Sequence, residues 1–137
     1  MNRHWLFKTD PAEYSFLMLL EDKEYTWSNV SNIMEKKGIR NISKGDTIAF
    51  FHSGDEKKII GTAEAVTNSY KKDEPNSSKI VIDIKPVKQL ERPVALWELK
   101  LNPKFRNFDL LNIPELNIFS VNDEQWDEIL IMSEGKV

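Results

Sequence analysis

The sequence predicts an α+β domain: a small mixed or barrel-like β-sheet with short peripheral helices. Three observations point there. Short runs of β-type alternation recur along the chain. The helical signals between them are brief and each carries its own cap. The two kinds of segment do not alternate in the strand–helix–strand rhythm of a doubly wound parallel sheet.

Residues 3 to 9 read as the first strand, with Trp5, Phe7 and Thr9 on one face and Leu6 and Lys8 on the other. Asp10-Pro11-Ala12-Glu13 is a helix-start signal, because Asp10 can cap, Pro11 suits the first helical position and Glu13 stands at the reciprocal capping-box site. Ser15 can cap a second short helix carrying Phe16 to Leu20, and Glu21 to Glu24 form a charged, exposed stretch. Tyr25 to Asn32 has no regular period. Residues 33 to 40 suit one or two helical turns ending at Gly38, and Lys44-Gly45-Asp46 reads as a tight turn.

Thr47 to Ser53 is a strand, residues 53–58 a hairpin loop, and Lys58 to Val66 the partner strand. Gly61 inside that strand marks a bulge or a close approach. The polar stretch 68–78, with Pro75, reads as a surface loop, and Lys79 to Pro86 as a third core strand. Ala95 to Leu101 reads as a short helix stopped by Asn102-Pro103, after which Phe105 and Phe108 turn inward. Leu116 to Val121 is a short strand. Asn122 to Gln125 is a capping box opening a helix that buries Trp126, Ile129, Leu130 and Met132.

The chain has 137 residues, a suitable length for one domain over 1–137. It has 40% hydrophobic and 30% charged residues, ordinary for a globular protein. No run is long enough to span a membrane, and no secretory signal opens the sequence. Without Cys there are no disulfides or zinc–thiolate sites. The two His residues are too few for a His-rich metal site, and no metal or cofactor is expected. These features fit an intracellular, cytoplasmic protein, or a nuclear one in a eukaryote. The net charge of −3 argues against coating nucleic acid by bulk electrostatics, although a local basic face is compatible with it.

The chemistry available favours binding over catalysis. His52 and Ser53 are adjacent on one strand and point to opposite faces, so they cannot form a nucleophile–base pair. Asp10 and Glu13 are better explained as caps than as a catalytic carboxylate pair. The glycines are scattered singly and build no phosphate-cradling loop. Trp5, Trp27 and Phe51 supply flat surfaces; Thr9, Ser28, Asn29, Asn32, His52 and Ser53 supply short polar groups. Flat walls with a few fixed donors and acceptors suit one unstacked nucleobase. The same residues also suit an aromatic core with polar strand ends, and Trp27 fits a core anchor as well as a gripping surface.

In order along the chain, several segments resemble the EVE domain family. Trp5-Leu6-Phe7-Lys8-Thr9-Asp10-Pro11 resembles its opening Trp-Leu-x-Lys-Ser-Glu-Pro, and Tyr14-Ser15 the aromatic–Ser pair that follows. Thr26-Trp27-Ser28-Asn29-Val30-Ser31-Asn32 resembles Thr-x-Trp-x-Gly-Val-Arg-Asn. Ile42-Ser43-Lys44-Gly45-Asp46 and Phe50-Phe51-His52-Ser53 resemble Met-Lys-x-Gly-Asp and Phe-Tyr-His-Ser. Ile60 to Val66, Pro93 to Leu96 and Glu124-Gln125-Trp126 fall in matching places.

The resemblance implies a PUA-like fold, similar to YTH readers: a mixed β pseudo-barrel of five to six strands with short helices around it. It implies a non-enzymatic module that takes a flipped, modified base into a pocket, most readily methylated or hydroxymethylated cytosine in DNA. Lys8, Thr9 and Asp10 would line one side. Trp27, Ser28, Asn29, Val30 and Asn32 would line another, with Phe51, His52 and Ser53 at the floor. Phosphate contacts would come from Lys36, Lys37, Arg40 and Lys44, or from Lys71 and Lys72. The partner would be DNA or RNA carrying a modified base. Relatives of the family occur beside or fused to nucleic-acid-cleaving systems, which admits an effector nuclease or modification system as a further partner.

The sequence departs from the family pattern at four places. Asn29 stands for Gly, Ser31 for Arg, Phe51 for Tyr and Glu115 for Arg, so two cations are lost. The alternatives are an RNA-binding PUA-like module reading a modified or unpaired base, an enzyme on a base or nucleoside using His52 or Asp10, and a small-molecule pocket.

Overall fold

The computed structural model of the chain describes residues 3–28, 38–75, 77–113 and 116–134. Its strands are β1 (His4–Thr9), β2 (Tyr25–Trp27), β3 (Thr47–His52), β4 (Lys58–Ala65), β5 (Tyr70–Glu74), β6 (Ser77–Ala95) and β7 (Ile118–Val121). They form one curled mixed sheet in the order β2-β6-β4-β3-β1-β7, with β5 also paired to β6. The helices are α1 (Phe16–Asp22), α2 (Leu96–Leu101), α3 (Asp109–Asn112) and α4 (Asp123–Ser133), with a 3-10 turn over Pro103–Phe105. Residues 38–40 are also helical. The expected α+β pseudo-barrel with short peripheral helices is the observed architecture. No described helix is long and apolar enough to cross a membrane.

β1 and β3 lie at the centre and run parallel, from His4 opposite Thr47 to Thr9 opposite His52. The other pairings are antiparallel. Both faces of the central pair are buried, which explains their near-continuous apolar composition. Trp5, Phe7, Ile48 and Phe50 face one apolar cluster, closed by Phe16 and Leu19 of α1 and by Trp27 of β2. Leu6, Ala49 and Phe51 face the other, closed by Leu99, Phe105, Phe108, Trp126 and Ile129. The alternation expected for residues 3 to 9 thus separates two cores rather than core from solvent.

Local chemistry accounts for the helix boundaries. Ser15 caps α1, its hydroxyl accepting from the Met18 amide at 3.1 Å. Lys23 ends that helix in the left-handed region at φ 68°. The expected capping box opens α4: Asn122 accepts from the Gln125 amide at 2.7 Å, and the Gln125 side chain accepts from the Asn122 amide at 3.2 Å.

Three expectations are corrected. Asp10 starts no helix: its carboxylate accepts from the Ala12 amide, and its carbonyl accepts from Glu13 and Tyr14, which makes a turn. The same short side chain serves either purpose, and here the chain must reverse before α1 begins. Residues 68–78 are not a loop, because Tyr70–Glu74 pairs with Ser77–Val81 as a ribbon. The third core strand does not stop at Pro86 but runs on to Ala95. Pro86 is accommodated beside a register shift between Thr62 and Ala63 of β4, where the ladder is irregular. With β2 and β5 added, the described sheet has seven strands instead of five to six.

Gly61 is both a bulge and a close approach. The registers on either side of it shift, and a Cβ there would stand 2.6 Å from Cε1 and Cε2 of the buried Phe16 ring. Gly61 thereby lets α1 sit down on the sheet. Replacing Gly61 with Ala is expected to destabilise the fold by about 1–3 kcal/mol, as overpacking does. A urea titration checks this, and an unchanged midpoint would show that the Phe16 ring yields freely.

Candidate functional site

Because β1 and β3 are parallel, their last residues emerge side by side, and the Ser53 amide donates to the Thr9 carbonyl at 2.8 Å. From there the turn through Asp10 carries the chain to Tyr14. The Thr9 hydroxyl donates to the Tyr14 carbonyl at 3.1 Å and fixes that approach. On the other side β2 brings in Tyr25 and Trp27, which share a face as residues i and i+2 of a strand. Tyr14 and Tyr25 stack at 3.8 Å between centroids with 20° between planes. The Tyr25 ring then meets Trp27 edge-on at 6.4 Å.

Thr9, Glu13, Tyr14, Tyr25 and Trp27 enclose a cavity of about 110 Å³. Trp27 is only 2% exposed and packs on Phe7 at 4.8 Å. It is therefore a core anchor and a cavity wall at once. Among the described residues its buried indole Nε1 has no hydrogen-bond partner. Such an orphan donor costs about 1–3 kcal/mol, which makes it the unusual group of this site.

The tyrosines are held in the neutral form. Burial pushes the Tyr14 phenol well above its usual value, helped by its hydrogen bond to Asp22 at 2.9 Å. Burial also raises Tyr25, with the Asp22 charge adding to it. Tyr70 is raised by burial and by its bond to Asp83 at 2.9 Å.

Of the residues expected at the site, the structure brings Thr9 and Trp27 together at the cavity. His52 lies beside Thr9 but has both ring nitrogens engaged. Nε2 accepts from the Phe16 amide at 3.0 Å, which puts the ring proton on Nδ1 facing Glu56 at 3.2 Å. It latches the amino end of α1 to β3. Ser53 is half-buried next to it, and Ser28 is half-buried after β2.

Lys8 and Phe51 project to the opposite face from Trp27: Phe51 belongs to the other core cluster, and the Lys8 amine lies 6.0 Å from the Phe119 ring centre. Asp10 is exposed and occupied in its turn. Asn29, Val30, Ser31, Asn32, Lys36, Lys37 and Glu115 lie outside the described residues. Glu13, Tyr14 and Tyr25 were not among the expected residues. Reading Tyr25-Thr26-Trp27 as a strand would have found Tyr25, whereas the turn that delivers Glu13 and Tyr14 has no such signature.

The expected cations converge more than their sequence spacing suggests. The Lys44 amide donates to the Asn68 side chain at 2.8 Å, and the Ser69 hydroxyl donates to the Arg40 carbonyl at 3.4 Å. These bonds seat Arg40 and Lys44 against the segment leading into β5, which carries Lys71 and Lys72.

A wider cleft of about 500 Å³ lies at the start of β1, lined by His4, Trp5, Ser120 and Asp123 among others. Its polar groups are turned on one another: His4 Nε2 lies 3.0 Å from Asp123, and the ring stacks on Trp126 at 4.7 Å. The smaller cavity, with facing aromatics and an unpaired donor, is the better candidate. Among the described residues, no cluster of three His, Asp or Glu could hold a metal ion.

A family model described as the EVE domain matches residues 3–132. The chain belongs to the EVE domain family. Its fold is PUA-like. Among solved structures it is similar to a hypothetical protein from Leishmania major, with 25% identity over 98% of this chain and 96% of that one, at a TM-score of 0.92. It is similar to Rpa0253 from Rhodopseudomonas palustris, with 26% identity over 98% and 95%, at a TM-score of 0.89. The human THYN1 protein, in complex with 5-methylcytosine containing DNA, shares the fold at 22% identity over 99% and 100%, with a TM-score of 0.89. No curated protein sequence matches the chain significantly.

Two measurements check this EVE site. Raised folded-state values mean that the tyrosines favour the folded state fully below about pH 10, their unfolded value, and lose that contribution as pH climbs through the folded values. Phenolate absorbance should therefore rise at higher pH in the folded protein than in the denatured chain, and coincident titrations would refute the burial argument. His52→Ala should speed amide exchange at Phe16 and destabilise the protein by about 1–3 kcal/mol, read by hydrogen exchange and denaturant unfolding.

Proposed function

We propose that this EVE domain binds a single modified nucleobase, methylated or hydroxymethylated cytosine in DNA, flipped out of its stack into the cavity beside Tyr14, Tyr25 and Trp27. The observation that carries the reading is the cavity of about 110 Å³ walled by Tyr14, Tyr25 and Trp27. That volume is far below the roughly 300–1,000 Å³ of drug-sized sites and suits one planar ring.

Family membership supports the same reading, and so does human THYN1, which shares the fold and is found with 5-methylcytosine containing DNA. The placement of cations supports it too. Trp27 pairs with Ile82 of β6, and Lys72 pairs with Lys79, three residues earlier on the same strand. Three residues of strand span about 10 Å. Lys71, Lys72, Arg40 and Lys44 are thus offered as phosphate contacts beside the cavity, local enough to act despite a net charge of −3. The reading is binding without turnover: His52, the expected acid–base group, has both nitrogens committed to the fold.

The test is a titration of short DNA and RNA oligonucleotides carrying cytosine, 5-methylcytosine, 5-hydroxymethylcytosine or N6-methyladenine. Binding should favour a modified cytosine in DNA. Tyr25→Ala, which spares the buried Trp27, should weaken it by about 1–3 kcal/mol, the usual value of one base–aromatic stack. Equal, weak binding to every oligonucleotide would overturn the proposal, and preference for the RNA series would turn it into an RNA reader.

A further inference from the structure

A 5-methyl group is common to 5-methylcytosine and thymine. Apolar walls that accept the methyl accept both bases, and thymine is abundant in DNA. The two rings differ at position 4, where cytosine carries an amine, a donor, and thymine a carbonyl oxygen, an acceptor. Rejecting thymine therefore takes a fixed acceptor on the cavity wall.

We propose that Glu13 is that acceptor and that it restricts the site to amino-bearing pyrimidines, the cytosine ring rather than the uracil ring. The inference rests on the cavity being a base site. It follows from an inventory of the lining groups. The Thr9 hydroxyl gives its proton to the Tyr14 carbonyl and the Tyr14 phenol gives its proton to Asp22, so what each has left is a neutral acceptor oxygen, weaker than a carboxylate. The Trp27 nitrogen can only donate. The Tyr25 phenol can serve either way and selects neither base.

Glu13 is the one carboxylate on the wall, and no ion pair or side-chain hydrogen bond engages it among the described residues. Its backbone is nevertheless fixed, because its amide donates to the Asp10 carbonyl at 2.9 Å and the next amide donates to the same oxygen. An anionic acceptor on a rigid turn complements the position-4 amine of cytosine. Thymine would set its position-4 oxygen against the carboxylate.

The experiment compares fluorescently labelled single-stranded oligonucleotides that are identical except for one central base, 5-methylcytosine or thymine. Anisotropy titrations use the full chain, its Glu13→Gln variant and its Glu13→Ala variant. The wild-type protein should prefer 5-methylcytosine by about tenfold or more, the usual effect of a hydrogen bond to a charged group. Glu13→Gln, whose amide can serve either base, should bring the ratio close to one with an unchanged Tm, since Glu13 is exposed. Glu13→Ala should also lower the ratio. Equal wild-type binding of the two oligonucleotides overturns the inference, as does an unchanged ratio in both variants. In those cases base binding still stands. If the wild-type chain binds neither 5-methylcytosine nor 5-hydroxymethylcytosine, the reading of the cavity fails and Glu13 loses its role with it.

Discussion

The buried carboxylate of Asp46 joins the start of β1 to the start of β3. It accepts from the Arg3 amide at 2.9 Å, the Trp5 indole at 3.0 Å and the Ser43 amide at 2.9 Å. A parallel pair cannot be registered by a hairpin turn, since its strands are joined through a long crossover. Something other than the connection must decide which residues face each other. Hydrogen bonds to a charged acceptor are the stronger kind, and three on one 2%-exposed side chain make that acceptor a strong determinant. With His4 set opposite Thr47, Thr9 falls opposite His52, and the far end of the sheet is aligned as a consequence.

That far end carries the candidate site. Each wall is held by a group whose primary contact is elsewhere. The His52 ring holds the first amide of α1, the Thr9 hydroxyl holds the Tyr14 carbonyl, and Gly61 leaves room for Phe16 beneath. Trp27 belongs to the core by packing and to the cavity by position, and its unpaired N–H is the point at which these two roles conflict. Buried polar groups in native proteins are nearly always paired, so an orphan among the described residues beside a cavity is informative in a way that an exposed aromatic would not be.

The secondary elements were legible wherever local chemistry decides them. The Ser15 and Asn122 caps, the Gly45 turn and the strands around Ala49 and Ile60 all lie where the sequence puts them. The Asp10 turn looks like a helix start in the sequence because Asx turns and N-caps use the same side chain in one geometry. The ribbon over Tyr70–Glu74 looks like a loop in the sequence because its residues are polar on both faces, leaving no alternation to see. Of the candidate site, Thr9 and Trp27 were legible from strand position and residue type. Lys8 and Phe51 could be assigned to the opposite face by alternation alone. Tyr14 and Glu13 could not be placed, since they reach the cavity through a turn.

The sequence by itself determined the family, the α+β class and most caps, which are set by residue type at short range, whereas the burial of both faces of the central strands came only with the packing of α1 and the C-terminal helices. Only the tertiary structure decided that Tyr14 meets Tyr25, that His52 is spent on α1, and that the indole of Trp27 finds no partner among the described residues. Those facts depend on which segments the parallel pairing brings together from distant parts of the chain. Spacing along the sequence carries no record of that contact.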